Sequence, residues 1–424
     1  MPRPPYDPSK PLDGLTRRSL LRASGVVGTG ALLAGGAGVG LHQLLARGSE
    51  DGGPRGTPIL VLVTLYGGND GLNTVVPYAD PAYRAARPEL AYGAEDVLRL
   101  DDRFGLNPAL KGLAEAWGQE DLAIVHGVGY PRPDRSHFRS MDIWQTATPE
   151  SPSTQGWLGR WLDAEDGDPM LAVSLGETLP PLAVGARSTA AALSLRTGRA
   201  PGGVGPVVRG FAPADPGDPP AAAEAAAAWS ALGRCEEAFS RIRSTAGDEE
   251  EPDAGETPAT GTGGNGSSVG TQLDLVARCI RAGVPTRAYA VSDAGYDAHT
   301  QLRNQQEFLL GRLDTALGGF RRALADHPRR DDVVVVVHSE FGRRVRANAS
   351  EGTDHGTASV VLVLGSGVNG GHHGEPPSLT DLDDGDLRAS TDFRSIYAEV
   401  AEKVLRVDPA RVVPEPKPAL GILV

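Results

Sequence analysis

The sequence predicts a doubly wound α/β fold, a mostly parallel sheet flanked by helices. Three observations carry that expectation. Ile59 to Tyr66 (ILVLVTLY) and Val333 to Val337 are unbroken apolar runs, the pattern of strands covered on both faces. Helix-length stretches lie between the strand runs, so strands and helices alternate and the crossovers should be right-handed. The chain has 424 residues, enough to bury a large core without a disulfide scaffold.

The N-terminus reads as an export signal. Thr16-Arg17-Arg18-Ser19-Leu20-Leu21 places paired arginines before leucines, and an apolar, Gly- and Ala-containing run follows from about Val26 to Leu45. Charged, then apolar, then small is the order of a secretory signal, and the paired arginines point to the twin-arginine pathway. Residues 1–49 are assigned to this signal, with cleavage or retention as a membrane anchor both open. No later stretch is long and apolar enough to span a bilayer.

From residue 50 onward the elements follow in order. Ile59 to Tyr66 runs into the tight turn Gly67-Gly68-Asn69-Asp70-Gly71. A helix is expected from Asn107 to Trp117, with Asn107 as cap and Pro108 in its first position. A strand is expected at Leu122 to Val125, and a helix at 136–146 with Ser136 at its N-cap. Another strand is expected at Leu171 to Val173. Ala221 to Arg243 is Ala-rich and helical in character, and 248–268 (DEEEPDAGETPATGTGGNGSS) contains no large apolar residue. A cap-like or flexible insertion is therefore placed at about 187–270, within a domain spanning 50–424. Helices are expected from Gln272 to Ala282, from about Thr300 to Asp326 and from Asp392 to Leu405. Further strands are expected at Thr286 to Val291 and Ser359 to Leu364.

Charge and cysteine usage exclude several functions. The net charge is −13, from 41 basic and 54 acidic residues, which argues against a surface built to coat nucleic acid. The two cysteines, Cys235 and Cys279, are too few for a Cys-rich zinc module or a disulfide framework. One bridge between them is allowed, but nothing requires it.

In open α/β sheets ligands bind beyond the carboxyl ends of the strands. Carboxylates and histidines gather there: Asn69-Asp70 after the first strand, Asp297-Ala-His299 after the strand at 286, and His338-Ser339-Glu340 with Arg343 after the valine run. Gly352-Thr-Asp354-His355-Gly356 stands just before the strand at 359. Carboxylates clustered this way repel one another unless a cation lies among them. Asp, Glu and His ligands without thiols suit divalent ions, zinc, manganese, calcium or magnesium, without selecting one.

Each piece also has a purely structural reading. Asp70 is a turn former beside glycine. Asp297 and His299 stand where they could cap the long helix, and Glu340 could pair with Arg343 or Arg344. His338 at the end of a buried strand reads as structural, His126 stays undecided, and His372-His373 reads as surface. Ser136 at a helix N-terminus is either a cap or a nucleophile facing an anion, with Arg135 and Arg139 beside it to hold anionic oxygens. His137 is an outer ligand or a helix-face residue.

The motifs GGNDGLNTVVP, RSHFRSMDIWQTA, GYDAHTQ, SEFGRRVRANASEGTDHG and TDFRSIY resemble the exported bacterial family catalogued as domain of unknown function 1501. The resemblance runs from about Ile59 to Val404, leaving out the insertion. It implies an alkaline phosphatase-like fold of the alkaline phosphatase and sulfatase clan, in which two divalent metals surround a Ser or Thr nucleophile. By resemblance, Ser136 is the catalytic residue and Asp70, Asp297, His299, Glu340 and His355 are metal ligands. Arg135, Arg139 and Arg343 are expected to contact substrate. Three departures stand out. Ser339-Glu340 replaces the Asp-His expected after the valine strand. Ala298 replaces the family's usual Thr. Pro131 occupies the position of the sulfatase nucleophile, which excludes the standard sulfatase chemistry.

The resulting expectation is an exported metal-dependent hydrolase of phosphate or sulfate esters, located in the periplasm, the cell envelope or outside the cell. Its partners would be a small anionic ester or an envelope polymer and the twin-arginine export machinery. No nucleic acid is expected, and membrane contact only through the signal. The alternative is a non-catalytic cell-envelope protein that keeps the fold for binding.

Overall fold

A computed structural model describes residues 56–165, 167–176, 179–193 and 268–424. The export signal, the Ala-rich stretch, the acidic loop and Cys235 lie outside the described residues.

A nine-stranded sheet organises the chain. Its strands are β1 (Ile59–Tyr66), β2 (Leu122–Gly129), β3 (Ala172–Leu175), β4 (Ala191–Leu193), β5 (Ala288–Ala294), β6 (Val333–Ser339), β7 (Ser359–Leu364), β8 (Gly371–His373) and β9 (Thr391–Asp392). The spatial order is β8-β2-β7-β6-β1-β5-β3-β4, with β9 also on β2. Every pairing is parallel except those of β7, which runs antiparallel to both β2 and β6. The expected mostly parallel sheet is thus observed.

Strand geometry explains the unbroken apolar runs. Successive side chains point to opposite faces, and both faces of β1 are covered. Ile59, Val61, Val63 and Leu65 pack with α1 (Lys111–Gly118), α4 (Val269–Arg281) and α5 (Leu302–Ala323). Leu60 and Leu62 belong to the opposite core, with Trp144 of α2 (His137–Thr146), Trp157 and Trp161 of α3 (Trp157–Ala164), and Phe393 and Tyr397 of α6 (Phe393–Lys403).

Several boundaries differ from the sequence expectation for identifiable reasons. α1 starts at Lys111 rather than at Asn107. Asn107 caps only a turn, accepting from the Ala109 N–H at 3.0 Å, while its own amide donates to the carbonyl of Asn73 at 2.9 Å. β2 continues four residues past Val125, so His126 lies within a buried strand. Within the span expected for the insertion, Ala191–Leu193 forms an edge strand parallel to β3; residues 194–267 lie outside the described residues. α4 begins at Val269, capped by Ser268, whose Oγ accepts from the Thr271 N–H at 3.2 Å. Asp297 and His299 do not cap the long helix: its N-cap is Gln301, without a side-chain hydrogen bond. Among the described residues no helix is long and apolar enough to cross a membrane.

Candidate metal centre

The parallel strands β1, β5 and β6 deliver their carboxyl-end loops to one edge of the sheet. The reversed direction of β7 matters here. Because β7 is antiparallel, the residues before it, 352–358, arrive at that same edge. β2 ends there too, and the turn after it starts α2. His137, Asp297, His299, Glu340 and His355 therefore meet although they are widely separated in sequence.

Their geometry is specific. His355 Nε2 lies 3.1 Å from His137 Nε2 and 3.0 Å from His299 Nε2. Asp297 Oδ1 is 3.1 Å from His355 Nε2 and 3.0 Å from His299 Nε2, and Asp297 Oδ2 is 3.4 Å from His137 Nε2. His137, Asp297 and His355 offer ligand atoms that all lie within 4.8 Å of one another. In a tetrahedral zinc site, ligand atoms each about 2.0–2.1 Å from the ion stand about 3.3 Å apart. The cluster has that spacing.

The far side of two of the imidazoles, His355 and His137, supports the same reading. His355 Nδ1 donates to the carbonyl of Arg135 at 2.9 Å, so the neutral ring carries its proton there and Nε2 presents a lone pair. His137 Nδ1 faces Glu340 Oε1 at 2.8 Å, and His299 Nδ1 faces Asp354 Oδ1 at 3.6 Å. Oxygen partners behind metal-binding imidazoles fix the tautomer and aim the free nitrogen inward.

Charge adds a third argument. Burial works against protonation of His137, but hydrogen bonds to Asp297 and Glu340 outweigh it and push its pKa up to about 9. Burial alone would raise the Asp297 carboxyl. Its contacts with His137, His355 and the Arg343 guanidinium instead hold it well below the usual carboxylate range. The arrangement therefore attracts positive charge, and a divalent cation would compete with the proton for the same lone pair.

Not every expected site residue takes its expected place. Glu340 is fully buried behind the cluster rather than in it. Its Oε1 accepts from the Gly67 N–H at 2.9 Å and faces His137, and its Oε2 accepts from Ser339 Oγ at 2.8 Å. It positions His137. Asp70 is directed elsewhere: its Oδ1 caps the Leu72 and Asn73 N–H groups, and its Oδ2 pairs with Arg87 Nη1 at 2.6 Å. Arg343 is buried and cannot offer its guanidinium to a substrate. It donates to the carbonyls of Gly67, Gly68, Tyr296 and Thr353 and to Asp297 Oδ1. Arg135 pairs with Asp384 and Asp386, and Arg139 with Asp142.

Ser136 caps α2 as expected, its Oγ accepting from the Arg139 N–H at 3.5 Å, and it is exposed. Both its neighbours touch the cluster, Arg135 through its carbonyl and His137 through its ring. His137, which the sequence left between two readings, is thus a central member. The carbonyl of Arg135 has no sequence signature.

Gly67 makes the assembly possible. It has φ +117, and a Cβ there would collide with the backbone of Tyr296 and Asp297. The turn after β1 can approach the Asp297 loop only because no side chain stands between them.

The other histidines fall outside this centre. His338 Nε2 contacts Thr64 Oγ1 at 3.0 Å and its ring stacks on Trp144, while burial pushes its pKa down to about 4. His126 Nε2 and His372 Nδ1 are 2.8 Å apart beside Phe104. His372 also packs against Trp117, so it is not the plain surface residue expected.

Residues 131–413 match the family described as "Protein of unknown function (DUF1501)". The chain belongs to that family. No curated protein matches it. Solved structures similar to it include a protein in the alkaline phosphatase superfamily from Vibrio parahaemolyticus, at 10% identity and a TM-score of 0.41, covering 86% of this chain and 71% of that one. Others are a phosphonate monoester hydrolase from Silicibacter pomeroyi (12% identity, TM-score 0.34, 82% and 73% covered) and an alkaline phosphatase from the Antarctic bacterium TAB5 (10% identity, TM-score 0.31, 73% and 92% covered).

Replacing Glu340 by glutamine tests the outer shell of this family member. The variant keeps the shape but loses the charge behind His137. Metal affinity, read by competition with a chelator, should fall about 10–100-fold. Unchanged affinity would remove Glu340 from the centre.

Proposed function

We propose that the chain is an exported metal-dependent hydrolase of phosphate or sulfate esters, with Ser136 as nucleophile. The observation that carries this reading is the convergence of three imidazole Nε2 atoms and Asp297 beside the N-terminus of α2. When bound, a divalent cation there would act as a Lewis acid toward the ester and lower the pKa of a nearby hydroxyl. His137, Asp297, His299 and His355 would hold it. This imidazole-rich set suits zinc better than calcium, magnesium or manganese, which favour oxygen ligands.

The chain's own groups supply the rest. Ser136 stands exposed at the first turn of a ten-residue helix, where unpaired N–H groups and the helix dipole favour an incoming anion. A groove of about 850 Å³ lies alongside, lined by Arg132, Arg135 and Arg388 and by five aspartates, Asp134, Asp383, Asp384, Asp386 and Asp392. It would take the body of a small ester or the end of an envelope polymer. Export through the twin-arginine pathway rests on Arg17-Arg18 and the apolar run after them.

The test is turnover of aryl phosphates, phosphodiesters and sulfate esters by the metal-loaded chain. Ser136→Ala should lower kcat by about 10³-fold or more, as loss of a nucleophile does elsewhere. Turnover equal to that of the unmodified chain would exclude Ser136 as nucleophile.

One observation favours the alternative, a non-catalytic envelope-binding protein. The two arginines near Ser136, Arg135 and Arg139, are already paired with aspartates. That reading requires binding of an anionic envelope polysaccharide to persist in a His355→Ala variant. The hydrolase reading requires productive binding to be lost with the metal.

A further inference from the structure

The resemblance noted in the sequence implies two metals. The geometry points instead to one, and we infer that the guanidinium of Arg343 takes the place of a second cation. The inference rests on the metal reading proposed above and sharpens it.

Four acceptors besides Asp297 surround Arg343. Its Nε donates to the Gly68 carbonyl at 2.6 Å, its Nη1 to that of Thr353 at 3.1 Å, and its Nη2 to that of Tyr296 at 3.0 Å and to the Gly67 carbonyl. Nη2 also reaches Asp297 Oδ1 at 2.7 Å, and the side chain is 0% exposed. Carbonyl and carboxylate oxygens converging on one point are what a hard cation requires. Here a fixed positive charge fills that point, and its planar fork of donors satisfies the oxygens.

The carboxylates that a second ion would need are engaged. Asp70 faces Arg87 and two backbone N–H groups. Glu340 uses one oxygen for Gly67 and His137 and the other for Ser339. Among the described residues, the ligand atoms close enough together for a metal ion gather at one place, where Asp297 and His355 are joined by His137 on one side and His299 on the other. Charge points the same way. A second dication beside Asp297 would meet the Arg343 guanidinium at close range.

Arg343 is therefore a positioning residue. It holds Asp297 toward the imidazoles and supplies the charge that a second metal would bring.

Metal counting tests this without reference to activity. The full chain, saturated with an equimolar mixture of zinc and manganese and then desalted, is analysed by elemental and native mass spectrometry. One ion per chain is expected, falling to none in a His137→Ala/His355→Ala double variant. Two ions per chain would overturn the single-metal inference and leave the metal reading standing. No bound ion would overturn the metal reading itself. An ion retained by the double variant would place the counted metal outside the cluster and overturn both.

Discussion

Asp70→Ala is expected to destabilise the protein by about 3–5 kcal/mol, the cost of breaking a buried ion pair from one side. Both partners have fully buried side chains, 2.6 Å apart, so solvent screening does not soften the effect. The Arg87 guanidinium would keep its bonds to the carbonyls of Arg344 and Val345 and to Asn73 Oδ1, but lose its carboxylate partner. The cap on the Leu72 and Asn73 N–H groups would go as well. A fall in Tm of about 4–8 °C follows from the usual scaling for a domain of this size. The ratio of bound metal to folded protein should stay unchanged. Loss of the metal at constant stability would be the opposite result, and would restore Asp70 to the ligand set.

His355→Ala should have the reverse profile. His355 lies about 3 Å from each of the other three, His137, His299 and Asp297, and it is partly exposed. Its removal takes away a ligand and also the tie to the Arg135 carbonyl that anchors the start of α2. Metal affinity should fall by more than the 10–100-fold expected for an outer partner. Fold stability without metal should change little, because no large apolar surface is uncovered. Chelator competition and thermal melts with and without added zinc separate the two effects. The unmodified chain should gain stability on adding zinc, by mass action, whereas the variant should not. Equal stabilisation of both would mean that the ion binds elsewhere.

The contrast between Asp70 and His355 shows what the sequence could and could not convey. Strand-end placement was legible, because ILVLVTLY and VVVVV mark doubly covered strands and the loops after them carry the polar residues. Asp297, His299 and His355 were legible on that rule. The fate of Asp70 was not, because it depends on Arg87, a residue on a neighbouring loop whose reach no local pattern reveals. Glu340 was recognised as part of the site but not as an outer partner, since ligand and support differ by one side-chain length. Arg343 looked like a substrate contact because arginine is usually exposed. Its burial follows from the Gly67-Gly68 turn, whose carbonyls turn inward only once the backbone folds through positive φ. His137 was ambiguous for a related reason. Whether the first residue of a helix faces solvent or a neighbouring loop depends on how that helix docks.

The most direct test of the metal centre is a crystal structure of the zinc-loaded chain with anomalous scattering measured on both sides of the zinc edge. One anomalous peak is expected, about 2.0–2.2 Å from the Nε2 atoms of His137, His299 and His355 and from an oxygen of Asp297. Crystals with no peak among these four side chains, or with the ion on Asp70 instead, would contradict it.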